Sequence, residues 1–450
     1  MNRGNGGDIL ATSREILNFL SGLGLTGAEV YLAEARALTV EVSEGRVETL
    51  KSSTERGVGI RLFHDHRLGF AYTTDLSREA VERTVRQAMA NARSTEPDEY
   101  HRLAPPADTF PLVDIYDPGI EAARVEEKLE RALRIERAAL DFSPLVKRVR
   151  KASYFDVIYG VALVNSLGWE ASYRGSYCGS GILAVAEDGG ESQAGGSSDI
   201  NLRYADLKIE EVGREAAEKA VRMLGARPIP TRKAVLVLDP EVAAELLSVI
   251  GPALSAEAVQ KGKSLFSGKL EQQVASPAVT LVDDGRLPGG VMTSPVDGEG
   301  VPTSRTVLIE KGRLRGYLHN LYTASREGVS STGNGRRTFR STPQVGPSNL
   351  FIQPGHAGRE ELLRGVKEGF YVSEVMGVHT ANPVSGDFSL GAAGLWIEGG
   401  EFTRAVRGVA VAANIIDLLG SVEEVASDLR FFGSYGSPTL RVSPLTISGT

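Results

Sequence analysis

The sequence predicts an α+β protein of two domains. At 450 residues it exceeds what one hydrophobic core usually organises. Helical and strand periodicities are mixed in both halves, with short strands and turn residues prevailing in the second. Between the halves lies "GARPIPTRK", whose glycine and two prolines make it the strongest linker signal in the chain. The boundary is therefore set at Pro228, giving domains 1–228 and 229–450. The first is expected to hold an antiparallel sheet with helices, and the second to be richer in strand.

In residues 8–23, Ile9, Ile16, Leu17, Leu20 and Leu23 recur at helical spacing and can share one face. Residues 28–75 then alternate as strands, with turns at Ser43-Glu44-Gly45 and His64-Asp65-His66, which predicts an antiparallel meander. A helix follows over 77–94, with Ser77 as N-cap and Glu79 in its first turn. A proline-containing loop spans 96–118, and a charged helix spans 120–140. Residues 149–204 read as strands, with "EDGGESQAGGSSD" as a loop or hairpin tip. A helix over 210–224 leads into the linker. The second half opens with the strand "KAVLVLD", then "VAAELLSVIGPALSAEAVQ", a helix that Gly251 and Pro252 should interrupt because proline lacks the N–H and crowds the preceding turn. Short strands separated by Gly, Asp and Pro turns complete the chain.

Hydrophobic residues at 42% and charged residues at 24% are ordinary for a soluble globular protein. A net charge of −7 argues against a nucleic-acid footprint, which needs clustered positive charge. The single cysteine, Cys178, excludes an intramolecular disulfide framework and suits a reducing compartment. The N-terminus has no continuous apolar run of signal-peptide type, and no segment is long enough to span a bilayer. A cytoplasmic protein that binds neither membrane nor nucleic acid is the expectation.

"GLGLTG" (Gly22, Gly24, Gly27) matches a dinucleotide fingerprint in letters only. It follows a helix and precedes a strand, the reverse of what the fingerprint needs, so it reads as a helix C-cap and turn. His64 and His66 would share a strand face, but a metal site needs further ligands, and a hairpin turn is the simpler reading. Asp283 and Asp284 in "VDDG", and Asp297 and Glu299 in "PVDGEG", could cluster, yet Asp-Gly pairs between strands are ordinary turn chemistry. "STGNGRR" places Asn334 between two glycines and offers Arg336 and Arg337 as forked donors for a carboxylate or carbonyl. "HTANPVSGDFSLGAAG" combines His379, Ser385 and Asp387 with small residues that would admit another backbone, as in strand addition. The chain has no G-x-S-x-G elbow, and nearness in sequence is not triad geometry.

Several separated blocks, in order, resemble the TldD/PmbA family: "GAEVYLAEARALTVEVSEGRVETLKSSTERGVGIRLF", "KGKSLFSGKL", "GEGVPTSRTVLIEKGRLRGYL", "STGNGRR", "HTANPVSGDFSLGAAGLWIEGGE" and "GSPTLRVSPLTISG". The resemblance covers nearly the whole chain. It implies a two-domain α+β fold and a role in intracellular proteolysis of small unfolded proteins or peptides; family names also allude to DNA gyrase. In the TldD branch one helix carries HExxxH, two histidines as zinc ligands and a glutamate as general base, and a C-terminal cysteine completes the site. That chemistry needs N or S ligands, an open position and a base beside the bound water.

Counting from "GKSLFSG" places Leu247 at the first ligand position, Ser248 at the base and Pro252 at the second ligand. "LRFFGSYGSPTLRV" lacks the cysteine, and Cys178 lies in the other half. The resemblance therefore implies the PmbA/TldE branch, with no catalytic residue, metal or cofactor in this chain. Zinc is expected in a TldD-like partner, within a heterodimer or, without that partner, a homodimer. "FSGKL" and "GNGRR" resemble the TldD branch equally, as in a divergent subgroup. Asn334, Arg336, Arg337, His379 and Asp387 are the expected contacts to a peptide substrate or the partner. The rival readings are a self-sufficient hydrolase with a site other than HExxxH, and a regulatory homodimer.

Overall fold

A computed structural model of the chain describes residues 6–107 and 109–449. The first half contains α1 (Gly6–Gly22), β1 (Ala28–Ser43), β2 (Arg46–His64), β3 (Arg67–Thr73), α2 (Arg78–Arg93), α3 (Pro118–Ala122) and α4 (Val125–Leu140). It continues with β4 (Val146–Asn165), β5 (Glu170–Asp188), β6 (Glu191–Asn201) and α5 (Ile209–Arg222). Its six strands make one sheet in the order β3-β2-β1-β4-β5-β6, antiparallel at every step.

The predicted meander is present, and its turn chemistry is clear. Both central residues of the β1–β2 turn (Glu44, Gly45) and of the β2–β3 turn (Asp65, His66) have positive φ, the geometry whose twist matches a two-residue hairpin. Along β1, Val30, Leu32, Leu38, Val40 and Val42 point to one face, where α1, α2, α4 and α5 cover them. Glu29, Tyr31 and Ala33 alternate onto the other face, which meets the second half of the chain. On α1, Ile9, Ile16 and Leu20 are buried as expected, whereas Leu23 lies beyond the helix and is exposed. Ser77 occupies the N-cap of α2 without capping through its side chain. Instead Asp75 Oδ1 accepts the Ser77 N–H at 2.9 Å.

Two local expectations need correction. The hairpin tip in "EDGGESQAGGSSD" is only Gly189-Gly190, and the polar residues after it form the edge strand β6. Its composition hides this because α5 presses onto it. A Cβ on Gly195 would collide with the Ala216 carbonyl and the Ala220 amide. The 120–140 helix is two helices, broken at Ala123-Arg124.

The second half begins with β7 (Arg232–Leu238), α6 (Pro240–Ala253), α7 (Ala256–Gln260), β8 (Leu281–Asp284), β9 (Arg305–Glu310), β10 (Arg313–Leu314) and α8 (Leu321–Glu327). Next come β11 (Gly335–Arg336), β12 (Gln344–Val345), β13 (Leu350–Ile352), α9 (Arg359–Arg364), β14 (Glu368–Met376), β15 (Asp387–Glu398) and β16 (Glu401–Asn414). It closes with α10 (Ile415–Gly420), β17 (Val422–Val425), β18 (Arg430–Phe432), β19 (Tyr435–Ser437) and β20 (Leu440–Ser448). One six-stranded sheet runs β16-β15-β14-β7-β20-β17 and curls back through a β16–β20 pairing; another runs β10-β9-β8-β13-β19-β18. Leu236, Phe370, Trp396 and Val442 lie in the same core as Leu246, Leu247 and Ile250 of α6. No helix among the described residues is long and apolar enough to cross a membrane.

Asp239 caps α6, accepting the Glu241 N–H at 2.9 Å, and Pro240 opens its first turn. Contrary to expectation, Gly251-Pro252 does not break this helix; the break falls at Leu254-Ser255. The missing proline N–H deprives only the Ser248 carbonyl, and Ser248 is exposed, so water can satisfy it. Gly251 lets α6 approach β19 closely, since a Cβ there would lie 3.1 Å from the Tyr435 ring.

The two adjacent glycines of β6 allow a direct test. Gly195→Ala should cost about 1–3 kcal/mol by overpacking against α5. Gly196→Ala, whose Cβ would find its first neighbour at 3.8 Å, should be close to neutral in urea unfolding.

Candidate functional site

The strand alternation that buries Val30 and Ile60 against helices turns Glu29, Tyr31 and Arg61 toward the second half of the chain. There Arg61 is almost wholly buried. Its Nε and Nη2 donate to the two oxygens of Glu29 at 3.1 Å each, and its Nη1 donates to Glu299 Oε1 at 3.0 Å. Arg337 brings Nη1 to 2.8 Å from Glu29 Oε1 and lays its guanidinium over the Tyr31 ring at 4.3 Å. The ion contact lacks hydrogen-bond alignment, and none of the Arg337 guanidinium nitrogens has a hydrogen-bond partner among the described residues.

The loop around Asp297 is held by backbone donors. Asp297 Oδ1 accepts from Glu299 N (2.8 Å) and Val301 N (3.0 Å), and Oδ2 accepts from Gly335 N (2.8 Å). Glu299 Oε2 accepts from Leu321 N at 2.7 Å. This explains the glycine of "NGRR": a Cβ on Gly335 would sit 2.9 Å from Glu299 Oε2 and 3.0 Å from Asp297 Oδ2. Burial, reinforced by the neighbouring Glu299 charge, pushes the Asp297 carboxyl up to about 7. Burial works against the Arg61 charge, yet Glu29 and Glu299 more than offset it and raise its pKa. Arg337, whose burial is not fully offset, is lowered.

Beside this cluster lies a cavity of about 440 Å³ between the N-terminal sheet and the loops 291–298 and 335–340. The sheet contributes Tyr31, Tyr159 and Tyr173, while Arg336, Met292 and Phe339 come from the opposite side. Phe339 enters over two glycines of β2: a Cβ on Gly57 would run into its ring, and one on Gly59 would approach its carbonyl oxygen to 2.5 Å. Burial raises all three tyrosines, Tyr159 to about 12 and Tyr173 well above the usual phenol range.

The expected contact residues do not converge. Arg336 lines the cavity. Arg337 also borders it, but its side chain is 1% exposed and engaged with Glu29, so it joins the two halves of its own chain. Asn334 is buried, donating to Asp283 Oδ2 (2.7 Å) and Gly346 O (3.1 Å). His379, in a short 3-10 turn, and Asp387, the first residue of β15, are exposed and lie outside this cavity; Asp387 accepts from Asn414 at 3.0 Å, and neither forms a triad with Ser385. Asp284 and Asp297 do make turns, Asp284 Oδ1 accepting from Arg286 N at 2.8 Å and Asp297 O from Gly300 N at 3.2 Å, but the carboxylates are more than exposed turn residues. Asp283 and Asp284 end β8, and both are buried with Asp297 and Glu299. His64 and His66 do sit at an exposed hairpin turn.

Sequence reasoning missed Glu29, Arg61 and the tyrosines. Glutamate and arginine at inward positions of an otherwise apolar alternation were the available signal. It also missed a cavity of about 550 Å³ beside α6, bordered by Glu241, Glu245, Glu374, Lys219 and Arg430. There burial, with Glu241 and Glu374, raises Glu245.

The helix positions matched to zinc chemistry do not fit zinc. Leu247 is 1% exposed in the apolar core, whereas Ser248 and Pro252 are on the exposed side, with Ser248 Oγ donating to Glu245 O at 2.6 Å. Neither the donor set nor its directions suit a tetrahedral N/S/O site. Among the described residues, no three His, Cys, Asp or Glu are grouped to hold a metal ion.

Comparison with known proteins places these features in a family. Residues 28–92, 118–224 and 231–449 match the models of PmbA/TldA metallopeptidase domain 1, central domain and C-terminal domain. The chain is 28% identical to the metalloprotease PmbA of Escherichia coli O157:H7, covering 94% of this chain and 92% of that protein. A Thermotoga maritima structure described as a candidate modulator of a DNA gyrase superposes with a TM-score of 0.91, at 28% identity over 97% of this chain and 99% of that one. The structure of TldE from Thermococcus kodakarensis shares the fold, with a TM-score of 0.89 at 24% identity, covering 97% of this chain and 100% of that one.

Two outcomes follow from the charge cluster. Arg61→Met strands the buried Glu299 and should cost about 3–5 kcal/mol in denaturant unfolding. Arg14→Ala, which breaks the exposed pair with Glu170, should barely move the midpoint. The folded Asp297 carboxyl titrates above its ordinary value of 3.8, so the folded chain holds an extra proton between about pH 4 and 7. Its contribution to stability is fully present below that window and is lost as pH rises through it. Urea midpoints across the window should decline less for Asp297→Asn than for the wild type.

Proposed function

Because the chain belongs to the PmbA/TldD metallopeptidase family, we propose that it is the subunit of a peptidase assembly that binds substrate without performing the zinc chemistry. One observation carries this reading. The α6 positions that hold the ligands and base in the TldD branch contain Leu247, Ser248 and Pro252, one facing the core and two facing out. The zinc belongs to a TldD-like partner, and this chain contributes part of the wall that holds an extended peptide. Related subunits of one fold pair through matching surfaces, giving a pseudo-twofold heterodimer, or a homodimer when the partner is absent.

Backbone geometry supports a role in holding an extended chain. Residues 46–57 of β2 pair only with β1 among the described residues, because β3 joins the strand from Val58 onward. Their outer edge therefore presents donors and acceptors to an added strand. Glu55, on this stretch, borders the tyrosine-lined cavity, so edge and cavity are contiguous.

Co-expression with a zinc-bearing homologue from the same genome tests the proposal. The pair should degrade an unstructured peptide, and this chain alone should not. Equal activity of the homologue without this chain would refute the subunit role. Purified alone, the chain should carry far less than one zinc per molecule by elemental analysis; a stoichiometric, exchange-resistant zinc would overturn the metal-free reading.

A further inference from the structure

The cavity under Phe339 contains an arrangement of donors that the fold does not use. The Tyr31 residue is 7% exposed, yet its hydroxyl, like those of Tyr159 and Tyr173, makes no hydrogen bond among the described residues. Tyr159 and Tyr173 are half-buried, and the three phenols line the cavity as donors that the fold leaves for whatever fills it. All three lie within the field of the Arg336 charge. Arg336 donates Nε to Pro347 O at 3.1 Å and Nη2 to Met292 O at 3.5 Å, which leaves Nη1 without a partner among the described residues. It forms no ion pair among the described residues. The carboxylates at the rim are already engaged, Glu34 with Arg56 and Glu55 with Arg340.

The chemistry of the lining narrows the ligand. Phenol hydroxyls and a guanidinium are donors suited to an oxyanion. A single uncommitted positive charge, with the Asp297 carboxyl nearby, matches one negative charge rather than the two of a phosphate monoester. Val157, Val161, Val296 and Phe339 give the rest of the wall an apolar stretch, beside the hydroxyls of Thr293, Ser294 and Thr338. The volume of about 440 Å³ is that of a small-molecule site.

We propose that this cavity binds a monocarboxylate carrying an apolar body, with Arg336 and the hydroxyls of Tyr31, Tyr159 and Tyr173 donating to the carboxylate. A peptide's C-terminal residue and a free small acid are the two sources of that chemistry. Identifying the source as a peptide rests on the peptidase reading, whereas carboxylate binding itself does not.

Calorimetric titration of the purified chain separates these levels. The probes are an acetylated tripeptide ending in phenylalanine as the free acid, the same peptide as its C-terminal amide, and 3-phenylpropionate. The acid should bind about tenfold or more tightly than the amide, because the charge-assisted hydrogen bonds are lost. Arg336→Gln should weaken the acid by a similar factor, and Tyr31→Phe or Tyr173→Phe by several-fold, with the amide unaffected. The Tyr→Phe variants keep the ring, and their thermal midpoints should match wild type. Should any variant fail to fold, the acid–amide comparison on the wild type still decides. Equal binding of acid and amide, no binding of either acid at millimolar concentration, or undiminished acid binding by folded Arg336→Gln would overturn the site. Tripeptide acid binding at least tenfold tighter than 3-phenylpropionate assigns the site to peptide termini, and equal affinities assign it to free acids. Either result leaves the co-expression test to judge the peptidase reading by itself.

Discussion

The structure depends on one buried guanidinium. Arg61 projects from the N-terminal sheet, fills both oxygens of Glu29 beside it, and uses its remaining arm to hold Glu299 from the other half of the chain. Isolated, any of these charges would be costly to remove from water; together, with the backbone donor of Leu321 on Glu299, they are compensated. The cluster fixes where the loops 291–298 and 335–340 lie against the sheet. That placement creates the tyrosine-lined cavity and sets Phe339 over Gly57 and Gly59. An apolar interface could have held the halves together, but a shared cation also specifies their register.

The shape of α6 is set by packing. Its cap at Asp239, its apolar stripe of Leu246, Leu247 and Ile250, and the close approach of Gly251 to Tyr435 are packing features. None needs a ligand at the three positions matched to zinc chemistry. Leu247 adds to the core, and Pro252 is tolerated because its missing hydrogen bond lies on the wet side of the last turn.

Much of this was legible in the residue order, for identifiable reasons. The β1–β2–β3 meander announced itself through period-two alternation and turns at Glu44-Gly45 and Asp65-His66, both local signals. The α+β class, the family and the placement of α6 were equally accessible. β6 was not, because its glycines and serines answer to α5, a neighbour supplied by later sequence. The burial of the turn residues Asp297 and Glu299 was hidden for the same reason: what covers them is β2 and the Gly335 loop, far away in the chain. Arg337 read as a contact for a partner and instead meets Glu29, since an arginine's sequence neighbours do not disclose which carboxylate it will find. Of the expected contacts, Arg336 alone lines the cavity without an ion pair among the described residues.

The Arg61–Glu299 bond spans 238 residues, which has a consequence during synthesis. At roughly 5–20 residues per second, an interval on the order of ten to fifty seconds separates the emergence of the two partners from the ribosome. Once α5 has emerged, the N-terminal sheet can form with its helices, yet the face bearing Glu29, Tyr31 and Arg61 remains open to water until Glu299 follows. Charge at its centre keeps that face wetted, where an all-apolar surface would invite nascent chains to stick to one another. A residue pair that looks like a lock in the finished molecule thus also serves as a solubilising patch while the molecule is being made.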